Sequence, residues 1–196
     1  VVKPIDDAIV STHGDASARD ELEKRLASVL STDVPNDAKD YVCRKLMVIG
    51  TATSVPALAK LLPEKDLSHM ARYALERIPA AEAGEAMREA LTKLDPALQV
   101  GVISSLGVRQ DEECVPALAE LVAGDDSTIA RSAAMALGDI RSADAAKALA
   151  GAKSSDKGVK IAVTDASLAC AESLLAHGKK KEALAVYKGF AGTDQP

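Results

Sequence analysis

A strict repeat constrains this chain more than any other feature of its sequence. Leucines recur at intervals of 31 residues, and the residues beside them are similar, as in Ser105-Leu106-Gly107 and Ala136-Leu137-Gly138. A fixed period of this size, in a chain rich in Ala and Leu, is typical of stacked helical hairpins. Such arrays build one continuous core between neighbouring repeats and usually bind partners over an extended surface. The repeating leucines are Leu75, Leu106, Leu137 and Leu168.

The apolar residues recur at steps of three and four, which is the spacing of one helix face. Segments with Gly, Pro and Asp interrupt this pattern and divide it into five helix pairs and one lone helix. The pattern therefore predicts an all-α fold, a right-handed α-solenoid (superhelix) of about five antiparallel helix pairs plus a terminal helix. The predicted helices are 16–30 with 38–49, 54–62 with 67–78, 82–93 with 96–107, 112–123 with 127–140, 143–152 with 158–177, and then 180–190.

One apolar stripe is predicted to run along the second helix of each pair. Each stripe is too narrow to stabilise its helix alone, so the neighbouring repeats must cover it. The predicted core positions are Leu67, Ala71, Ala74, Leu75 and Ile78, then Leu98, Val102 and Leu106, then Ile129, Ala133, Leu137 and Ile140.

The ends of the chain depart from this pattern. Residues 1–14 show no clear period and are predicted to be a lead-in segment. Residues 15–196 are predicted to form a single repeat domain, with an atypical terminal pair at about 158–190, because terminal repeats often differ where they cap a stack. The chain begins Val1-Val2 without an initiator Met, which indicates a processed or trimmed product.

Composition argues against two classes of partner. The formal net charge is −5, so the whole chain offers no electrostatic attraction to DNA, RNA or anionic lipid. Aromatic residues make up only 2% and Trp is absent, which leaves little material for stacking nucleic-acid bases. No apolar run approaches the roughly 20 residues of a membrane span. We therefore expect neither nucleic-acid binding nor a transmembrane segment.

No sequence motif of a catalytic site is present. The chain lacks GxxxxGK[ST], HExxH, GxSxG and GxGxxG, and its few histidines lie far apart. The cysteines are odd in number and form no CxxC, so we interpret them as small buried fillers. The sequence thus predicts a protein that is not an enzyme and holds no metal or cofactor. These residues are His13, His69 and His177, and Cys43, Cys114 and Cys170.

Two segments resemble a known repeat family. Val115-Pro116-Ala117-Leu118 and the run from Ile129 to Ile140 resemble a HEAT repeat of the short, phycobilisome-lyase-type HEAT-like variety, and the resemblance covers roughly residues 38–172. The runs 67–76 and 100–109 are similar to repeats of bacterial proteins, many of them exported, in which the array often sits in a larger polypeptide. The resemblance implies the solenoid fold and favours an exported or periplasmic protein over a cytoplasmic one.

The face of the second helices opposite the core gives the candidate binding surface. Solvent-facing helix positions are usually Lys, Glu or Asp. Here two ladders of mostly small, apolar or aromatic residues occupy these positions, and Arg72 and Arg109 lie nearby. The ladders are His69, Val100, Arg131 and Ala162, and Tyr73, Ser104, Met135 and Ala166.

In HEAT arrays the second helices line the concave side, so the resemblance implies a weakly charged groove here. An exposed surface of this kind often marks an interface. The alternative is that Ala-rich repeats have bland surfaces, or that curvature crowds these positions. The predicted partner-binding residues are His69, Arg72, Tyr73, Arg109, Arg131 and Met135.

Two functions follow from these observations. The first is a non-catalytic protein-interaction scaffold, a repeat module that binds a protein partner and can form part of a larger protein. The second, implied by the resemblance, is an enzyme or chaperone of the bilin-lyase kind. That role needs an apolar groove that holds a tetrapyrrole beside an acid or thiol, and His69, Tyr73 and Cys170 are its only candidates.

Overall fold

The computed structural model describes residues 3–190, and these form twelve α-helices and no strand. The predicted all-α class of paired helices is confirmed. Val1 and Val2, from which processing was inferred, lie outside the described residues, as do residues 191–196. The helices are α1 (Lys3–Ser11), α2 (Ala16–Val29), α3 (Asn36–Ile49), α4 (Val55–Ala59), α5 (Ser68–Arg77), α6 (Ala81–Leu91), α7 (Pro96–Val108), α8 (Val115–Val122), α9 (Ser127–Ile140), α10 (Ala143–Gly151), α11 (Lys157–Ala176) and α12 (Lys180–Phe190).

Most helix bounds agree with the sequence pattern to within two residues, and α4 is the main exception. It ends at Ala59, whereas the apolar pattern predicted a helix to residue 62. After Ala59 the chain tightens into turns, in which the Leu61 N–H donates to Leu58 and the Leu62 N–H to Ala59. Leu61 and Leu62, which lie in these turns, are both buried.

Helix α1 lies in the segment that showed no clear period. An ion pair fixes it to α3, with Asp6 Oδ1 2.6 Å from Lys45 Nζ. The Tyr41 hydroxyl also donates to Asp6 over 3.1 Å. The hydrogen bond from Lys45 is the main reason why the pKa of Asp6 is lowered. Polar contacts of this kind leave no apolar periodicity in the sequence, so the pattern could not predict the helix.

The helices group into two units, the first ending at Leu98 and the second beginning at Gln99. In the first unit α2, α4 and α6 lie side by side, and α3 packs beside α5. In the second unit α8, α10 and α12 form one row, and α9 packs beside α11. Each unit therefore has the two-layer order of stacked hairpins. The expectation of a single repeat domain over 15–196 stays a prediction.

A buried carboxylate ties the first helix pair to the second in the first unit. Glu23 on α2 is only 1% exposed. Its Oε1 accepts the backbone N–H of Thr51 at 2.7 Å and the Ser54 hydroxyl at 2.5 Å, and Oε2 accepts the Thr51 hydroxyl at 3.0 Å. Several donors thus replace the water that the carboxylate loses, as a buried charge requires.

Glycines allow consecutive second helices of the second unit to touch. A Cβ at Gly107 of α7 would lie 2.9 Å from the Cα of Ala136 on α9. A Cβ at Gly138 of α9 would lie 2.8 Å from the Cα of Ala166 on α11. Real side chains do not approach backbone so closely, so these helices can pack at this distance only without a side chain at 107 and 138.

The turns after α7 and α9 each contain a left-handed residue that is not glycine. Gln110 has φ 55° and Arg141 has φ 56°, which is uncommon for residues with a side chain. The Asp111 N–H donates to the Leu106 carbonyl and closes the first turn in the manner of a Schellman cap. The Gln110 side chain reaches the last turn of α9, where Nε2 donates to the Asp139 carbonyl over 3.1 Å.

The repeating leucines follow the predicted register in three repeats out of four. Leu75, Leu106 and Leu137 are fully buried, but Leu168 is only half-buried. Helix α9 begins at Ser127 and α11 begins at Lys157, so the last repeat is 30 residues long and not 31. One residue rotates a helix position by about 100°. Leu168, although it follows the 31-residue spacing of the sequence, is therefore not structurally equivalent to the other three leucines.

The shift of one residue also explains why two further residues differ from the prediction. Ala162 and Ala166, predicted to face solvent at the end of the ladders, are buried at 7% and 5% exposure. Ala166 faces α9, since it lies against Gly138. The predicted core positions Leu98 and Ile129 are only half-buried, since both lie in the first turn of a helix, while the other predicted core residues are buried.

The three cysteines are buried, as the sequence predicted. Burial raises the pKa of Cys43 to about 12, and the nearby Asp40 carboxylate raises it further. Burial also raises the pKa of Cys170 to about 11, although Arg141 opposes this. The Cys170 thiol donates to the Leu137 carbonyl over 3.6 Å. A thiol kept protonated in this way is a packing element and a poor nucleophile.

We expect Leu106→Ala to lower the free energy of unfolding by roughly 2–5 kcal/mol, because it removes buried methyl groups and leaves a cavity. Leu168→Ala should cost only about 1 kcal/mol, since its side chain is half-exposed and loses less contact. Urea unfolding followed by circular dichroism measures both. Equal losses for the two variants would contradict the 30-residue register of the last repeat.

We expect the stability of the protein to fall as the pH rises from 9 towards 11. The folded state holds the Cys43 and Cys170 thiols protonated, whereas the unfolded thiols ionise near pH 9, so ionisation favours unfolding by about 1.4 kcal/mol per pH unit and thiol. Urea midpoints measured from pH 8 to 11 test this. Lys and Tyr titrate in the same range, so the control is a variant with Cys43→Ala and Cys170→Ala, whose stability should depend less steeply on pH.

Candidate functional site

Three of the predicted binding residues meet on the exposed face of α5. His69 and Tyr73 lie one turn apart, with ring centroids 6.2 Å apart and planes inclined by only 15°. Arg72 Nη2 lies 3.1 Å from His69 Nδ1. On the other side of Tyr73, the guanidinium carbon of Arg77 lies 5.7 Å from the ring centroid. We call His69, Arg72, Tyr73 and Arg77 the α5 patch.

The spacing of the α5 patch follows from helix geometry. Positions i, i+4 and i+8 lie close to one line along a helix, and this places His69, Tyr73 and Arg77 in a row. Arg77 was not among the predicted site residues, although its position four residues after Tyr73 is the signal that could have identified it. A guanidinium over an aromatic ring gains a cation–π attraction and holds the ring in place.

The α5 patch combines partial burial with positive charge. Tyr73 is 37% exposed, so the ring is accessible but supported on both sides. Burial lowers the pKa of Arg72, and the nearby Glu76 carboxylate opposes this shift. A supported phenol with guanidinium groups beside it can contact an aromatic or aliphatic group and a carboxylate of a partner at the same time.

The other three predicted residues belong to the second unit. Arg131 and Met135 are exposed one turn apart on α9, and Met135 is 58% exposed. The Arg131 side chain leans towards the start of α11, where a Cβ on Gly158 would lie 3.8 Å from its Nη1. Arg109 is half-buried in the turn after α7. We call Arg131 and Met135 the α9 patch.

The residues of the two predicted ladders are exposed to solvent only in part. His69, Tyr73, Ser104, Arg131 and Met135 are exposed. Val100 is half-buried, and the ladders end at α9, because Ala162 and Ala166 of α11 are buried. The exposed part of the predicted surface therefore lies on the second helices that precede α11.

A surface depression of about 430 Å³ lies at the turn edge of the second unit. Its lining contains basic and acidic side chains in similar number. Arg141 and Lys179 are among the basic ones, and Glu112 and Asp144 are the acidic ones. Opposite charges of this kind largely cancel, so the depression has no clear preference for a ligand of one sign.

In the part of the chain that the structure describes, residues that could form a metal site or a tetrapyrrole site do not lie together. Among residues 3–190, no group of three or more His, Cys, Asp or Glu side chains could hold a metal ion. No helix in this part of the chain is long and apolar enough to cross a membrane. Of the tetrapyrrole candidates, His69 and Tyr73 belong to the α5 patch, whereas Cys170 is fully buried in the second unit.

Comparison with known proteins identifies the repeats. Residues 84–167, from within α6 to within α11, match the family profile described as HEAT repeats. A comparison with curated proteins found no match. The matched segment contains the glycine contacts between second helices and two of the fully buried leucines, Leu106 and Leu137. With their paired helices and repeating leucines, residues 84–167 are HEAT repeats.

Proposed function

We propose that the chain is a non-catalytic protein-binding module that uses the exposed faces of its second helices. HEAT repeats are generally protein-interaction scaffolds, and the fold is typically non-enzymatic. The α5 patch is the observation that supports this role most strongly. It exposes an aromatic ring held between a histidine and an arginine in a chain that has only three Tyr, one Phe and no Trp.

The chemistry of the α5 patch is that of a binding hot spot. Tyr and Arg are enriched among residues whose truncation costs most at protein interfaces. Tyr73 is supported by His69 and Arg77 before any partner arrives, so it loses little side-chain freedom on binding. Because Arg72 and Arg77 lie beside the ring, a partner segment that combines an apolar side chain with a carboxylate is the best match.

The α9 patch supports the same role in the second unit. Met135 is a large apolar side chain exposed at 58%, and Arg131 lies one turn before it. Flexible Met side chains adapt to varied partner surfaces, and Arg supplies a directional hydrogen-bonding group. Arg109 completes the proposed set of binding residues, which is His69, Arg72, Tyr73, Arg109, Arg131 and Met135.

A tetrapyrrole-binding role is the second candidate, and the resemblance to phycobilisome-lyase-type repeats is what favours it. Such a role needs an acid or thiol beside an apolar groove. The Cys170 thiol has no exposed surface, and burial raises its pKa to about 11, so it is poorly placed to attack a chromophore. This leaves His69 and Tyr73 of the α5 patch as accessible candidates.

For the protein-binding role, we expect Tyr73→Ala combined with Arg131→Ala to weaken binding of the partner by about 2 kcal/mol or more, because aromatic and guanidinium anchors dominate interfaces. Thermal stability should change little, since both side chains are exposed. The partner is first identified by affinity capture from the native organism, and binding is then measured by titration calorimetry.

The matched controls are Glu89→Ala on α6 and Glu120→Ala on α8, two exposed residues of first helices. They should leave the affinity almost unchanged. Equal losses from both sets would place the interface on the first helices, and no loss from either would overturn the proposed surface.

The tetrapyrrole role has a direct test. When the protein is mixed with heme or a bilin, we expect no shifted visible absorbance band, because the Cys170 thiol is fully buried and His69 and Tyr73 lie on an exposed helix face. A saturable band that disappears in Tyr73→Ala and persists in Glu89→Ala would support the tetrapyrrole role and contradict the protein-binding proposal for this patch.

A further inference from the structure

Two second helices of the first unit carry the same pair of side chains. On α3, Tyr41 is followed four residues later by Lys45, whose Nζ lies 4.7 Å from the ring centroid. On α5, Tyr73 is followed four residues later by Arg77, whose guanidinium carbon lies 5.7 Å from the ring centroid. Residues four apart are neighbours on a helix, so each helix places a cation beside a tyrosine ring. We call these the α3 pair and the α5 pair.

The α3 pair binds a carboxylate from a neighbouring helix. Asp6 of α1 uses one oxygen for both members of the pair. Its Oδ1 accepts the Tyr41 hydroxyl over 3.1 Å and lies 2.6 Å from Lys45 Nζ. Ile5 and Ile9, four residues apart on the side of α1 next to Asp6, are half-buried. The segment that meets the α3 pair is thus a helix with a carboxylate between two aliphatic residues.

The other charges beside each pair balance one another. On α3, Arg44 Nη2 lies 2.8 Å from Asp40 Oδ2, four residues away. On α5, the carboxylate of Glu76 interacts electrostatically with Arg72, again four residues away. The acidic and basic positions are exchanged between the two helices, but the balance of charge is the same. One cation of each pair therefore remains to balance a carboxylate from another helix.

The α5 pair offers its two groups without a carboxylate. Among residues 3–190, the Tyr73 hydroxyl makes no hydrogen bond and Arg77 makes no ion pair. Both residues are exposed to solvent, whereas Tyr41 and Lys45, which α1 contacts, are half-buried. The α5 pair thus lacks what the α3 pair has, namely a helix whose carboxylate engages the hydroxyl and the cation together.

We propose that the α5 pair binds a carboxylate on a helix of the protein partner, in the way that the α3 pair binds Asp6. The Tyr73 hydroxyl donates to the carboxylate, and the Arg77 guanidinium balances its charge. The partner segment is an amphipathic helix with the spacing Ile5-Asp6-x-x-Ile9 that α1 shows. This inference rests on the proposed protein-binding role of the α5 patch and names the chemistry of the segment that the patch takes.

The row of side chains on α5 fits a helix of this kind. The His69 ring lies 6.2 Å from the Tyr73 ring, nearly parallel to it, and extends the aromatic surface by one turn. One turn of a partner helix spans about 5.4 Å. A partner helix that lies along α5 can therefore place an aliphatic side chain on the rings while its carboxylate, one turn away, reaches Arg77.

A suitable probe is a synthetic peptide of residues 3–14, kept helical by a hydrocarbon staple across positions 7 and 11, which are exposed in α1. The receptor is the full chain, whose own α1 occupies the α3 pair. Titration of the peptide should shift the backbone NMR signals of α5. An Asp6→Asn peptide should bind about threefold more weakly or worse, because it loses the charge that the cation balances.

Substitutions in the full chain identify the contact. Arg77→Gln should weaken the binding of the Asp6 peptide about threefold and leave the Asp6→Asn peptide unchanged, since the two groups act on each other. Tyr73→Phe, which removes only the hydroxyl, should also reduce the preference for the carboxylate. The matched control is Arg25→Gln on α2, because Arg25 is exposed and already paired with Glu21. It removes the same charge and should leave both affinities unchanged, and circular dichroism verifies that the variants are folded.

Three results would overturn the inference. The first is an equal loss for the two peptides on Arg77→Gln. The second is a peptide that binds by displacing α1, so that Lys45→Gln weakens its binding and Arg77→Gln does not. The third is no binding of the peptide, and if Tyr73→Ala with Arg131→Ala still weakens the captured partner, the proposed function stands without this inference. Coupled binding of the peptide, with a captured partner insensitive to those two substitutions, would support the inference and contradict the proposed function.

Discussion

The second unit depends on direct backbone contact between consecutive second helices. At Gly107 and Gly138 the next helix approaches so closely that no side chain fits between them. The buried leucines Leu106 and Leu137, each adjacent to one of these glycines, fill the space behind the contact. Because helices at this distance exclude water along their length, small residues and leucines together can build a dense core with almost no aromatic residues. In α11 the position 30 residues after Gly138 is Leu168, so the glycine that admits the next backbone is absent there.

Much of the fold could be predicted because it depends on periodic burial. The helix bounds, the fully buried Leu75, Leu106 and Leu137 and the buried cysteines all follow from apolar spacing. The exceptions have other causes. Helix α1 is fixed by the polar contacts of Asp6, which leave no period. Leu168 does not share the full burial of the other repeating leucines, because the last repeat is one residue shorter and one residue rotates a helix position by about 100°.

The candidate site was predictable to the extent that it lies on one helix. His69 and Tyr73 share a face of α5 by their spacing of four residues, and the same rule reaches Arg77. Sequence could not show that these side chains support one another, because rotamers decide whether rings stack or point apart. It also could not show that Ala162 and Ala166 leave the exposed face, since this depends on the length of the last repeat.

The hydrogen bond from Gln110 to the Asp139 carbonyl has a mechanical consequence for the second unit. It joins the turn after α7 to the last turn of α9, and so it acts as a tether along one edge of the stacked helices. Bending that spreads this edge must stretch or break the bond, whereas bending that compresses it does not. Elastic deformation in this region should therefore be unequal in the two directions, with the softer direction set by one side chain on a left-handed residue.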